Sequence, residues 1–164
     1  PSEHRVKDFA QTMMCELDVD VIVASSPEEV VRASELVVTT TPATSPIIKA
    51  EWLHAGLHIT AMGSDAEHKQ ELEPAVLTKA DLYVCDSLSQ VAHLGELHHA
   101  LAAGVMDLRD VRAELGDITA GKQGGRENDL QITVCDLTGT GVQDTMIALH
   151  AYQTLIKHGV GLEM

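Results

Sequence analysis

The sequence predicts an α/β fold built on a parallel sheet. Three observations carry that expectation: short apolar runs of β-branched character recur along the chain, helical patterns separate them, and an apolar run ending near Ala61 breaks at Gly63 before handing over to Asp65 and Lys69. Alternation of strand and helix over the first 86 residues implies parallel pairing through right-handed crossovers. In such sheets the ligand lies beyond the carboxyl ends of the strands, so an acid just past a strand is well placed for chemistry. Asp after Gly is also ordinary turn chemistry, capping a helix or bonding its own backbone, and on local sequence that alternative stays open.

Residues 19–24, 36–41, 57–61, 82–85 and 132–135 read as strands from their length and residue types. Residues 3–17 place Val6, Phe9, Ala10, Met13, Met14 and Leu17 on one stripe of a helix. Ser26-Pro27-Glu28-Glu29 opens the next helix, with Ser at the cap, Pro in the first turn and acids at the positive end of the dipole. Residues 49–53 form a helical turn, Glu73-Pro74 starts a helix running through Lys79, and residues 88–103 and 107–115 read as helices separated at Gly104. Gly116, Gly121, Gly124 and Gly125 mark residues 116–128 as a loop. Val142, Met146, Leu149, Tyr152 and Ile156 recur at helical spacing in a final helix, whose apolar face docks on the sheet or on a further domain.

The chain carries 25 acids against 11 Lys and Arg, a formal charge of −14, with no basic cluster to offset it. That balance repels phosphate backbones and anionic lipid, which sets nucleic acid and membrane aside as partners. Cys15, Cys85 and Cys135 are far apart and form no CxxC pair, against a disulfide framework or a thiolate metal site. No stretch reaches the roughly 20 apolar residues of a membrane span. The opening Pro-Ser-Glu-His-Arg-Val-Lys-Asp is charged and lacks an apolar secretory core. A cytoplasmic location is expected, as is an origin inside a longer gene product.

Several motifs invite chemistry. Gly139-Thr140-Gly141 enters a helix after a strand, as a dinucleotide fingerprint does, but Asp144 stands where close helix packing wants a small residue and no further βαβ unit follows. It reads as a strand-to-helix turn near a ligand. Thr39-Thr40-Thr41-Pro42 ends a strand with hydroxyls that either bond a ligand or only reflect β-propensity. His93 and His98 are five apart and share no helix face, so no metal site is expected. Gly-x-Ser-x-Gly is absent.

Taken in order, Val37-Val38-Thr39-Thr40-Thr41, Met62-Gly63-Ser64-Asp65, Lys69-x-Glu71-Leu72, Gly95-Glu96-Leu97 and Glu114-Leu115-Gly116-Asp117 resemble the carboxy-terminal part of the ornithine cyclodeaminase and mu-crystallin family. Gly121, Gly125-Arg126, Ile132-Thr133-Val134-x-Asp136, Gly139 and Gln143-Asp144 continue the match over nearly the whole chain. Residues 59–104 are most similar to cyclodeaminase-like proteins of ectoine utilisation.

The resemblance implies NAD or NADP bound on a Rossmann domain, and a separate domain for substrate contacts and homodimerisation. In the cyclodeaminases bound NAD accepts hydride from the α-carbon of an amino acid, ammonia leaves, a ring closes and the hydride returns. By the same resemblance Asp65 matches a proton relay at the substrate amine, and Met62, Gly63 and Ser64 match backbone contacts to the cofactor. Lys69 matches a lysine near the cofactor, and Thr41 or a neighbouring threonine a cofactor contact. Leu137 and Thr138 fall where the family reaches nicotinamide and substrate, with Leu137 replacing the usual serine and leaving only its backbone for that contact. The expected function is an NAD-dependent, cyclodeaminase-like enzyme acting on a small amino acid or cyclic imine. The alternatives are a ketimine reductase or amino-acid dehydrogenase, and a crystallin-like binding protein without turnover.

The family's first two strands, its GxGxxA phosphate loop and its substrate domain are expected upstream of Pro1. Residues 1–131 then read as a partial Rossmann domain lacking two strands, and residues 132–164 as the strand and helix that complete it and pack toward the amino-terminal domain. In the 3-2-1-4-5-6 order the absent strands leave a gap between residues 19–24 and 36–41. Unpaired backbone there makes the piece alone unstable, and the intact protein is expected to be roughly twice as long.

Overall fold

The computed structural model describes residues 2–161. In chain order the elements are α1 (Glu3–Leu17), α2 (Pro27–Ala33), β1 (Leu36–Thr39), β2 (Thr44–Ile48), β3 (His58–Ala61), β4 (Gln70–Leu72), α3 (Pro74–Lys79) and β5 (Leu82–Cys85). They continue with α4 (Leu88–Val91), α5 (Gly95–Ala102), β6 (Ala113–Glu114), α6 (Leu115–Thr119), β7 (Thr133–Asp136) and α7 (Gly141–Lys157). Short 3-10 turns lie at Ala50–Trp52 and Leu108–Asp110. None of the described helices is long and apolar enough to cross a membrane.

Five strands form one parallel sheet in the order β1-β3-β7-β5-β6. The register sets Thr39 beside Ala61 and Ala61 beside Asp136, which in turn sits beside Cys85, so the carboxyl ends of four strands are level. Alternation sends Val37, Ile59, Tyr83, Cys85 and Val134 into the main core with Leu57, Leu77, Val91 and Leu97 from the loops and helices. The opposite face buries Leu82, Val84 and Cys135 under Leu115, Ile118 and Leu137. Burial pushes the thiols of Cys85 and Cys135 up, to about 12 and about 11, which makes them inert core residues.

Several expectations need correction. Residues 19–24 form no strand: Ile22 is 87% exposed, and an extended segment becomes a strand only with a hydrogen-bonding neighbour, which it lacks here. Residues 107–115 are not a helix. Asp107 and Asp110 cap one 3-10 turn, after which Ala113 and Glu114 pair with Val84 and Cys85. The helix expected over 88–103 is broken into α4 and α5, because Gly95 takes φ +72° and donates its N–H to the Ser64 carbonyl. The glycine-rich loop begins as the short helix α6. A further two-stranded parallel sheet, β2-β4, was hidden by Pro46 and by the shortness of β4.

The outer edge of β1 is unpaired. An open groove of about 970 Å³ runs along it between α1, the 21–27 segment and β2, with Thr39 and Thr41 on its wall. α7 buries none of its residues, and Val142, Met146, Leu149 and Tyr152 stand exposed along it.

Candidate functional site

The loops that leave the carboxyl ends of β1, β3 and β7 meet at one rim, and buried carboxylates hold them there. Glu71, fully buried in β4, takes the Thr39 hydroxyl at 2.6 Å and the Gly63 N–H at 2.8 Å on one oxygen, and the Thr41 N–H at 2.5 Å on the other. Glu96 of α5 accepts the N–H groups of Glu71 and Leu72 at 2.8 and 3.0 Å, which fixes the strand that carries Glu71. Asp136, at the end of β7, accepts the first amides of α5, Glu96 and Leu97, together with the Tyr83 hydroxyl at 2.7 Å. One carboxylate therefore anchors the helix that anchors the strand that anchors the loops.

Burial outweighs these donors for two of the acids. The Glu96 carboxyl is pushed up to about 8, with Asp136 and Glu71 adding repulsion, and the Asp136 carboxyl to about 6. Burial and the neighbouring Asp136 also raise the Tyr83 hydroxyl, which stays a donor. Asp136 Oδ1 is buried without a partner among the described residues.

A fourth acid shapes the loop after β7. Asp86 accepts the N–H groups of Thr138 and Gly139 at 2.9 and 2.8 Å, and the Thr138 hydroxyl at 3.1 Å. Gln90 donates to Thr138 Oγ1 and to the Gly139 carbonyl. Gly139 has φ +83°, the conformation the turn requires. The Gly139 N–H is thus taken by an acid, and Gly139-Thr140-Gly141 forms the turn from β7 into α7.

The structure places each residue singled out from the sequence on this rim. Asp65 is the exposed acid, 53% accessible, and its pair with Lys69 at 2.5 Å holds its carboxyl below the usual carboxylate range. Ser64 is buried and donates its hydroxyl to the Lys69 carbonyl, which also bonds the His99 ring at 2.7 Å. A Cβ on Gly63 would lie 2.3 Å from the Glu71 carboxyl and 2.4 Å from the Thr41 carbonyl, so only glycine fits. Met62 is half-exposed and donates its N–H to Thr39. The Leu137 N–H continues the ladder to Ala61, and its side chain packs on the second core. The Thr138 hydroxyl is buried and fully engaged by Asp86 and Gln90. Gly95 brings the loops after β3 and β7 together, bonding Ser64 while its own Cβ position lies 2.9 Å from the Thr138 methyl.

Sequence reasoning assigned no role to Glu71, Asp86, Glu96 or Asp136. The available signal was an acid directly after an apolar run, at Val84-Cys85-Asp86 and Val134-Cys135-Asp136; Glu71 and Glu96 carry no such signal. No cluster of three or more potential metal ligands occurs among the described residues.

Parallel strands in this order, with polar loops gathered at their carboxyl ends, define part of a Rossmann-type nucleotide-binding sheet. Residues 2–159 match the model of the ornithine cyclodeaminase/mu-crystallin family. The chain belongs to that family. It is 46% identical over 157 residues to an uncharacterised cyclodeaminase of Sinorhizobium fredii, covering 96% of this chain and 47% of that protein. Among solved structures, an archaeal alanine dehydrogenase dimer with bound NAD superposes with a TM-score of 0.86 at 38% identity, over 99% of this chain and 49% of that one. The Thermococcus litoralis Δ1-pyrroline-2-carboxylate reductase, in complex with NADH and L-proline, superposes with a TM-score of 0.91 at 29% identity, over 99% and 50%. The chain spans about half the length of these relatives.

Proposed function

We propose that the chain supplies the nicotinamide side of the active site in an NAD(P)-dependent enzyme that works at the α-carbon of a small amino acid or cyclic imine. The observation that carries this reading is Asp65: an exposed carboxylate, held ionised by Lys69, on the rim of a parallel sheet whose solved relatives bind NAD or NADH. The rim fits the riboside end of the cofactor, because Gly63 leaves it flat and polar groups surround it, while the amides of Thr41, Gly63, Thr138 and Gly139 are taken by acids and are not offered to phosphate. Met62, Gly63, Ser64, Lys69, Thr41 and Leu137 form the cofactor wall, and Thr138 sets the loop facing the substrate. Bound NAD(P) supplies a hydride acceptor or donor. This chain's residues orient it and manage the proton: Asp65 takes a proton from the substrate amine as Lys69 yields its place to the incoming ammonium.

The preferred reaction is cyclodeaminase-like, with ammonia lost, a ring closed and no net change in the cofactor, service in ectoine utilisation being the finer reading. Similarity to a dehydrogenase and an imine reductase favours a second reaction, net oxidation or reduction with exchange of free NAD(P)H. The functional unit is proposed to be a cytoplasmic homodimer joined through an amino-terminal domain, against which residues 132–164 pack. Asp65→Asn in the natural full-length protein tests the reading. Cofactor binding should survive while turnover falls at least a hundredfold, of the order expected for a lost acid–base group; unchanged turnover removes Asp65 from the chemistry. Accumulation of reduced cofactor during turnover would select the second reaction.

A further inference from the structure

Burying a carboxylate is unfavourable unless it is hydrogen-bonded, and Glu71 is fully buried. Its three donors explain why an acid stands there. Two of them, the N–H groups of Thr41 and Gly63, come from the loops that leave neighbouring strands, and the third is the Thr39 hydroxyl at the end of β1. Four further rim amides are engaged: Met62 with Thr39, Leu137 with Ala61, and Thr138 and Gly139 with Asp86. The carbonyls of Met62 and Gly63 accept no hydrogen bond from the described residues, whereas the Thr41 carbonyl packs inward against Gly63. The Thr41 hydroxyl accepts from Ala43 and keeps its own hydrogen to donate.

A rim of carbonyl acceptors above a buried carboxylate attracts hydrogen-bond donors and repels phosphate. In a nicotinamide dinucleotide those donors are the ribose hydroxyls and the carboxamide NH2. Resting on the function proposed above, we propose that Glu71 is a positioning residue for the nicotinamide riboside end of the cofactor, turning the Thr41 and Gly63 amides inward so that the loop after β3 presents its carbonyls, and the loop after β1 its Thr41 hydroxyl, to the ligand. Glutamine cannot replace it. Whichever way the carboxamide is set, its NH2 faces the Thr41 amide or the Gly63 amide, and one loop must turn away.

The test uses the natural full-length protein and Glu71→Gln, with NADH and ADP as probes; ADP lacks the nicotinamide riboside. NADH binding should weaken at least tenfold while ADP binding stays within twofold. Equal weakening of both probes, or no weakening of either, overturns the proposal. Failure of the unaltered protein to bind NADH would instead overturn the function on which it rests. Should the variant not fold, amide hydrogen exchange in the unaltered protein decides. Thr41 and Gly63 should exchange slowly before any cofactor is added; rapid exchange that slows only with NADH means that the cofactor, not Glu71, receives those amides.

Discussion

Lys69 Nζ closes on Asp65 Oδ1 at 2.5 Å, while the Lys69 carbonyl is held by both Ser64 and His99. The lysine is thus fixed at its backbone and sets the charge of the rim's exposed acid. Its hydrogen bond is the largest influence lowering the Asp65 carboxyl. In Lys69→Met that influence is gone and the carboxyl rises toward the ordinary carboxylate range. Asp65 must be ionised to accept a proton, so in the variant activity fades at a higher pH on acidification, and the acid limb of the kcat/KM profile, which reports the free enzyme, should move upward. A limb that stays in place would assign it to another group.

Two glycines with left-handed backbone separate conformation from crowding. At Gly104, φ +68°, a Cβ would meet nothing within 4 Å, whereas at Gly95, φ +72°, it would lie 2.9 Å from the Thr138 methyl and 3.0 Å from both Asp136 oxygens. Gly104→Ala should cost about 1–2 kcal/mol from backbone conformation alone. Gly95→Ala adds about 1–3 kcal/mol of overpacking. Denaturant unfolding of both variants measures the difference, and similar values would mean that α5 shifts freely.

Asp86→Asn keeps the shape of the side chain but places an NH2 against backbone or hydroxyl donors of Ser87, Thr138 or Gly139. Leaving one of these part-buried donors without an acceptor should cost about 1 kcal/mol. Because the same donors set the loop after β7, the substrate KM should rise together with the loss in denaturation midpoint.

The pH dependence of stability follows from Glu96 and Asp136, raised in the folded chain to about 8 and about 6. Unfolded, both return to ordinary carboxyl values, so the folded state binds more protons between the two ranges. Their contribution is fully present below the unfolded pKa and is lost as pH rises through about 6 and then about 8. Melting temperature should fall over that interval, and Glu96→Gln should flatten its upper part whatever it does to the absolute value.

Much of the fold was legible because local chemistry decided it. Ser26-Pro27 starts α2 with the Ser26 hydroxyl on the Glu29 amide, and the β-branched runs around Val37, Ile59, Val84 and Val134 are strands. Residues 19–24 share that composition without a partner, and pairing is not a local property. Gly95 could not be recognised as a helix break, since the demand for its backbone comes from Ser64 and Asp136, 31 and 41 positions away by their numbers. At the site, Gly63 and Asp65 were readable as the end of a strand. Glu71, Glu96 and Asp136 belong to the same resemblance, yet their work as successive anchors depends on contacts between distant segments.

The place of β7 in the middle of the sheet governs how the chain can be made. β3 and β5 emerge from synthesis well before residues 133–136, and each waits with one edge open until β7 appears. Early hairpin-like closure between them is impossible, because no direct pairing of β3 with β5 exists in the finished sheet. Closure is therefore late, long-range and slow. Until it occurs, two apolar strand edges remain open to other chains, and the interval before β7 pairs is the one most exposed to aggregation.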